Sequence, residues 1–138
     1  MTISKDIKFD CAHMLSNYNG KCSNLHGHTY HGTVTVEGDV NPETGMLLDY
    51  NTIKNVVDKF DHAIIFSNSS ARNDAEMDLY RWACCYEMKI VELMSSKSTA
   101  EGIATCISSD LIQFPNVTAV HVRLSETDGS WAIVEVEK

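Results

Sequence analysis

His26-Gly27-His28 sets two imidazoles at positions i and i+2. In an extended strand those positions share one face, so both rings can meet a single ion without distorting the backbone. Gly27 between them leaves room on the other face. His13 closes an earlier alternating run, and it joins the pair if the two runs fold as a meander. Three imidazoles with one open position describe a catalytic zinc site, whereas a structural site fills the fourth place. Cys22, four residues before His26, admits both readings. As a free thiolate beside a cation it is a proton acceptor. As a fourth ligand it closes a structural site of one thiolate and three imidazoles. The two differ in reactivity: in zinc-loaded protein a free Cys22 is alkylated and a ligated one resists. Ordinary strand histidines are the alternative to a metal, and a lone His-x-His does not exclude them. The third histidine and the nearby cysteine favour the metal. His31 is odd-spaced from His28 and should face the other way, and His121 sits among apolar residues as a structural histidine.

A second group could handle protons. Asp61 precedes His62, and a carboxylate beside an imidazole fixes its tautomer and raises its basicity. Taken alone, a solvated surface pair is the favoured explanation. Glu126 ends an apolar run in Leu124-Ser125-Glu126-Thr127. It reads either as a solvated charge or as a planar clamp accepting two parallel N–H bonds. Thr99 and Glu101 could bind a ligand, or serve as a turn residue and a helix cap.

Elements must position these residues. Residues 3–13 and 28–38 alternate at period 2 and predict strands, with a polar loop at 16–21. Pro42 and Gly45 turn the chain, and Asp49 caps a helix over about 50–60 with Ile53, Val56, Val57 and Phe60 on one face. Segment 69–97 is irregular: a short helix near 74–83, then an extended stretch over 89–94. Ser98 and Glu101 have capping-box spacing and open a helix to about 113. Strands at 117–127 and 131–137 meet at Asp128-Gly129, a hairpin signal. The expected fold is α+β, a four-stranded antiparallel sheet with two helices on one face, in one domain spanning 1–138.

Composition limits the function classes. Of 138 residues 43% are hydrophobic and 22% charged, as in a globular domain. No apolar run reaches the roughly 20 residues of a membrane span. The first residues lack the pattern of a secretory signal, so a cytoplasmic location is expected. A net charge of −8 argues against nucleic acid as partner. Five cysteines form no even disulfide framework. Cys84, Cys85 and Cys106 have apolar neighbours and are expected to be buried; Cys11 also reads as structural.

Taken in order, His13, Cys22-x3-His26-Gly27-His28, Asp61-His62, Thr99-Ala100-Glu101 and Glu126-Thr127 resemble the 6-pyruvoyltetrahydropterin and 6-carboxytetrahydropterin synthase family. The resemblance covers residues 2–68 and 98–138 and lies in the ordered set rather than in any one motif. It implies a tunnelling fold in which trimers form a barrel and commonly pair into hexamers. It implies 7,8-dihydroneopterin triphosphate as substrate and Zn2+ held by His13, His26 and His28. Cys22 matches the catalytic proton acceptor, and Asp61 and His62 a proton relay supplied across a subunit interface. Glu126 matches the pterin anchor and is also assigned to the catalytic relay, and Thr99, in the same motif as Glu101, matches a second pterin contact. Three residues between Cys22 and the His-Gly-His, rather than five, resemble the carboxy-type enzymes. The alternatives are the pyruvoyl-type enzyme and a non-catalytic zinc- or pterin-binding module. Ser98 and Gly102 stand where the family usually has Pro and Asn, and 69–97 is longer than usual.

Overall fold

The computed structural model describes all residues, 1–138. Two long strands form its spine: β1, Thr2–His13, and β2, Glu37 back to His26 within His26–Gly38. They pair antiparallel from Thr2 opposite Glu37 to His13 opposite His26. Alternation decides what each face carries. On β1, Ile7, Phe9, Cys11 and His13 are buried, while Lys8 and Asp10 are exposed. Tyr30, opposite Phe9, stacks on it with ring centroids 5.1 Å apart.

Helix α1, Tyr50–Asp58, and helix α3, Ala100–Leu111, cover the apolar face. Asp49 caps α1 by accepting the Asn51 N–H. Ile53 and Val57 from α1, and Ile103, Ile107 and Leu111 from α3, join Phe9, Tyr30 and Phe60 in one core. Strand β5, Val117–Ser125, follows α3 and lies antiparallel to β2, and β6, Ala132–Glu137, lies on its outer side.

The sheet has six strands, not four, and the helices number three, not two. A four-residue strand β3, Ala63–Phe66, runs parallel to β1, and β4, Ile90–Glu92, runs parallel to β3. Helix α2, Asp74–Cys85, connects them. The order is β4-β3-β1-β2-β5-β6. Parallel strands buried on both faces read as short continuous apolar runs, so period 2 gives no signal for Ala63-Ile64-Ile65-Phe66. With β3 before it, the irregular segment completes a β-α-β extension of the sheet at the β1 edge.

Four further expectations are corrected. The α3 N-cap is Thr99, whose hydroxyl takes the Gly102 N–H at 3.2 Å, not Ser98 with Glu101. The β5–β6 connection is a six-residue loop, 126–131, rather than a tight turn at Asp128-Gly129. Cys84 and Cys85 are exposed at the end of α2, and Cys106 is half-buried with the Lys59 amine 3.4 Å from its sulfur. His121 faces the polar side of the sheet between Glu37 and Glu135, not the core. No helix is long and apolar enough to cross a membrane.

Gly32 makes the closest approach in the sheet. A Cβ there would strike the Arg123 carbonyl oxygen of β5, well inside contact distance. Gly32→Ala must push β5 away from β2. It should lower unfolding free energy by about 1–3 kcal/mol in a denaturant titration, as overpacking does elsewhere.

Candidate active site

The β1–β2 register assembles the first part of the site. His13 lies directly opposite His26, and His28 lies opposite Cys11 two residues further along the same face. The three rings converge with their ligand nitrogens all within 4.8 Å of one another, a group able to hold a metal ion. His13 is 1% exposed, so its ring is held by packing as well as pairing.

Hydrogen bonds settle the tautomers. His13 Nδ1 donates to the Ser98 carbonyl, and His26 Nδ1 donates to the Asn24 carbonyl at 2.7 Å. Each Nε2 therefore presents a lone pair, and the two Nε2 atoms stand 3.1 Å apart. Lone pairs at that distance repel unless a cation, either a proton or a metal ion, lies between them. The separation is close to the ~3.3 Å edge expected when nitrogens sit 2.0–2.1 Å from a tetrahedral metal. His28 Nε2 is buried without a hydrogen-bond partner. Burial, with the neighbouring imidazoles, pushes its pKa down against the opposing pull of Glu126, which favours the neutral, lone-pair form. The donor set fits a divalent cation of the zinc type.

Glu126 closes the group. Its Oε1 lies 3.1 Å from His13 Nε2 and 3.5 Å from His28 Nε2, and accepts from the Tyr30 hydroxyl at 3.0 Å. When His13 carries a second proton, on Nε2, its hydrogen bond holds this carboxyl down to about 2, aided by Tyr30 and opposed by burial. Burial and then Glu126 push the Cys11 thiol up to about 12, so it stays protonated beneath the histidines.

Cys22 arrives from the β1–β2 connection. A single turn of 3-10 helix, Lys21–Ser23, carries it, and the Leu15 N–H donates to the Cys22 carbonyl at 2.8 Å. Its sulfur is not among the convergent metal-holding atoms. Instead Cys22 lines a half-open cavity of about 330 Å³ together with His13, Thr99, Glu101, Glu126 and Trp131. Five of the predicted residues thus meet in one space at the metal group's edge. A larger recess, about 670 Å³, lies under the 39–49 loop and holds none of them.

Asp61 and His62 do not reach that cavity. They pair at 2.9 Å, but the His62 side chain is 78% exposed. It lines a separate recess that also takes in His28 and Cys11, together with Asp10, Gly27 and Thr29, which alternate to the other side of β1 and β2. The backbone fixes this placement. His62 has φ 58°, its N–H donates to the Asp10 carbonyl at 2.6 Å, and Asp61 Oδ1 takes the Asp10 N–H at 3.0 Å. That Asp10 bond, then His62, keeps the Asp61 carboxyl below its ordinary pKa.

A family model described as 6-pyruvoyl tetrahydropterin synthase matches residues 2–137. The chain belongs to that enzyme family. It is 32% identical over 137 residues to the 6-carboxy-5,6,7,8-tetrahydropterin synthase of Haemophilus influenzae, with 94% of each chain covered. It is 29% identical over 119 residues to the enzyme of that name from Rickettsia felis, covering 83% of this chain and 80% of the other. Among solved structures it is similar to the 6-pyruvoyltetrahydropterin synthase of Plasmodium vivax, at TM-score 0.63 and 17% identity, covering 100% of this chain and 99% of that one. As a member of the pterin synthase family the chain carries the α+β fold of those neighbours.

Sequence reasoning missed Tyr30 and Trp131. Tyr30 extends the i, i+2 series from His26 and His28, so the same period would have found it. Trp131 had no signal, because the loop after Glu126 was read as a tight turn.

A divalent cation in excess should stabilise this protein by about 4 kcal/mol when free metal is a thousand times its Kd. Thermal unfolding with and without chelator measures this, and His28→Ala should abolish most of the difference.

Proposed function

We propose that the chain is a zinc-dependent lyase that converts 7,8-dihydroneopterin triphosphate to 6-carboxy-5,6,7,8-tetrahydropterin, releasing acetaldehyde and triphosphate. It would thereby supply 7-deazaguanine and queuosine precursor synthesis in the cytoplasm, acting as one domain over residues 1–138. The observation that carries the reading is the convergence of three imidazoles, one of which, His13, lines a cavity shared with a free cysteine and Glu126. The names of its relatives from Haemophilus influenzae and Rickettsia felis, and the three-residue spacing before His26, favour the carboxy-type product.

In this reading His13, His26 and His28 hold zinc, with Cys22 outside the ligand shell. Zinc bound there would supply Lewis acidity that makes neighbouring C–H and O–H protons of the substrate side chain more acidic. The Cys22 thiolate takes one such proton from within the cavity. Glu126 accepts the N–H edge of the pterin and sets the reacting carbons against the histidines. Thr99 and Glu101, at the start of α3, contact the ring from the facing wall. A cavity of about 330 Å³ is in the range for a bicyclic ligand whose polar tail extends to solvent.

His62, held by Asp61, exchanges the second proton. Its exposure on the far side of β1 and β2 supports delivery to the cavity of a neighbouring subunit. A homo-oligomer, trimer or hexamer, follows from that role. The edge strands β4 and β6 have no partner on their outer sides within the chain and support such assembly. The second reading, triphosphate elimination to 6-pyruvoyltetrahydropterin, is favoured by the name of the matching family alone.

Zinc-loaded protein incubated with dihydroneopterin triphosphate should yield acetaldehyde and the carboxy product by mass spectrometry. The pyruvoyl product would select the second reading, and absence of turnover would sink both. Cys22→Ala should retain zinc and lose about 10²–10⁴-fold in kcat, the usual contribution of a positioned acid or base.

A further inference from the structure

We infer that Glu76, in the first turn of α2, is a positioning residue for the metal ligand His13, acting through Ser67 and Ser98. The inference rests on the metal-centre reading above.

Glu76 is 0% exposed, and none of the chain's ion pairs includes it. A buried carboxylate without a cation is costly, so its hydrogen bonds must hold it. Both oxygens are used. Oε1 accepts the Ser67 N–H at 2.7 Å, and Oε2 accepts the Ser16 hydroxyl. Ser16 Oγ in turn accepts the Asn73 N–H at 3.0 Å, and Asn73 Oδ1 caps α2 by accepting the Glu76 N–H at 2.9 Å.

The bonds continue inward. Ser67 Oγ accepts the Ser98 N–H at 3.1 Å. The Ser98 hydroxyl donates to the Met14 carbonyl at 2.9 Å. Residue 98 is thus held from two sides, and its carbonyl faces His13 Nδ1. Ser16, Ser67 and Ser98 are all buried. Because His13, Met14 and Ser16 are near neighbours in the chain, the bonds close into a ring around His13. Partners of a ligand's second nitrogen fix its tautomer and direction, and their loss typically weakens metal binding by 10–100-fold. Glu76 anchors the far side of that ring. Segment 69–97, which neither the metal group nor the cavity uses, thereby gains a role at the metal.

Zinc affinity of the full chain, measured by competition with a chelator, tests this. Ser67→Ala keeps the backbone bond to Glu76 and removes the hydroxyl that meets the Ser98 N–H and the Ser98 hydroxyl. It should weaken zinc binding by about tenfold, and Glu76→Ala by about 10–100-fold. Glu76→Gln retains an acceptor for the Ser67 N–H and should recover most of the affinity. In a His28→Ala background Ser67→Ala should cost the same factor again, whereas in a His13→Ala background it should cost nothing. A purely structural role would cost the same in both backgrounds. Wild-type affinity in Ser67→Ala, or an equal loss in both backgrounds, overturns the inference while the metal centre stands. Failure of the wild-type chain to hold zinc overturns the metal-centre reading, and this inference with it. If Glu76→Ala does not fold, Ser67→Ala decides.

Discussion

The site depends on a repulsion. Two imidazole nitrogens, each left with a lone pair because a backbone carbonyl keeps the ring's proton on Nδ1, face each other across 3.1 Å. Nothing in the protein resolves that contact except a cation. The register that puts His13 opposite His26 is enforced along the whole length of β1 and β2, because a one-residue slip would send every core side chain to the wrong face. The hydrophobic core therefore holds the electrostatic conflict in place. Phe9 stacked on Tyr30 is part of the same register, and Tyr30 reaches Glu126 from it.

Around that point the molecule divides the expected chemistry between two sides of one sheet. The helix-covered side gathers the metal group, Cys22, Thr99, Glu101 and Glu126. The other side carries Asp61 and His62, clamped to β1 through Asp10. In the proposed function that placement lets Asp61 and His62 serve a second copy of the chain.

Much of this was legible in the residues because strand geometry is simple. Alternation alone predicts that His26 and His28 share a face and that His31 does not. The charge at Asp49 predicts a helix start that the structure shows. The failures have a common cause. Ala63-Ile64-Ile65-Phe66 is a short parallel strand with no alternation to detect, and without it the extended stretch at Ile90-Val91-Glu92 has no visible partner, so the sheet reads two strands short. Cys84 and Cys85 have apolar neighbours in sequence, but α2 packs on the sheet through Tyr80 and Ala83 and leaves them outside. Nothing in the sequence marks Glu76 as buried. Only the docking of α2 against Ser16 and Ser67 buries it.

The sequence by itself determined which residues could bind a metal and which strand face would present them, because side-chain direction follows from local backbone period. It also determined the family, through the ordered set of His13, Cys22, His26, His28, Asp61, His62 and Glu126. Only the tertiary structure decided which of these share a cavity. That depends on pairings between segments up to 96 residues apart, such as Tyr30 with Glu126, and no local pattern encodes them. It also decided the state of each group, since burial and hydrogen-bond partners, not residue type, choose which nitrogen keeps its proton.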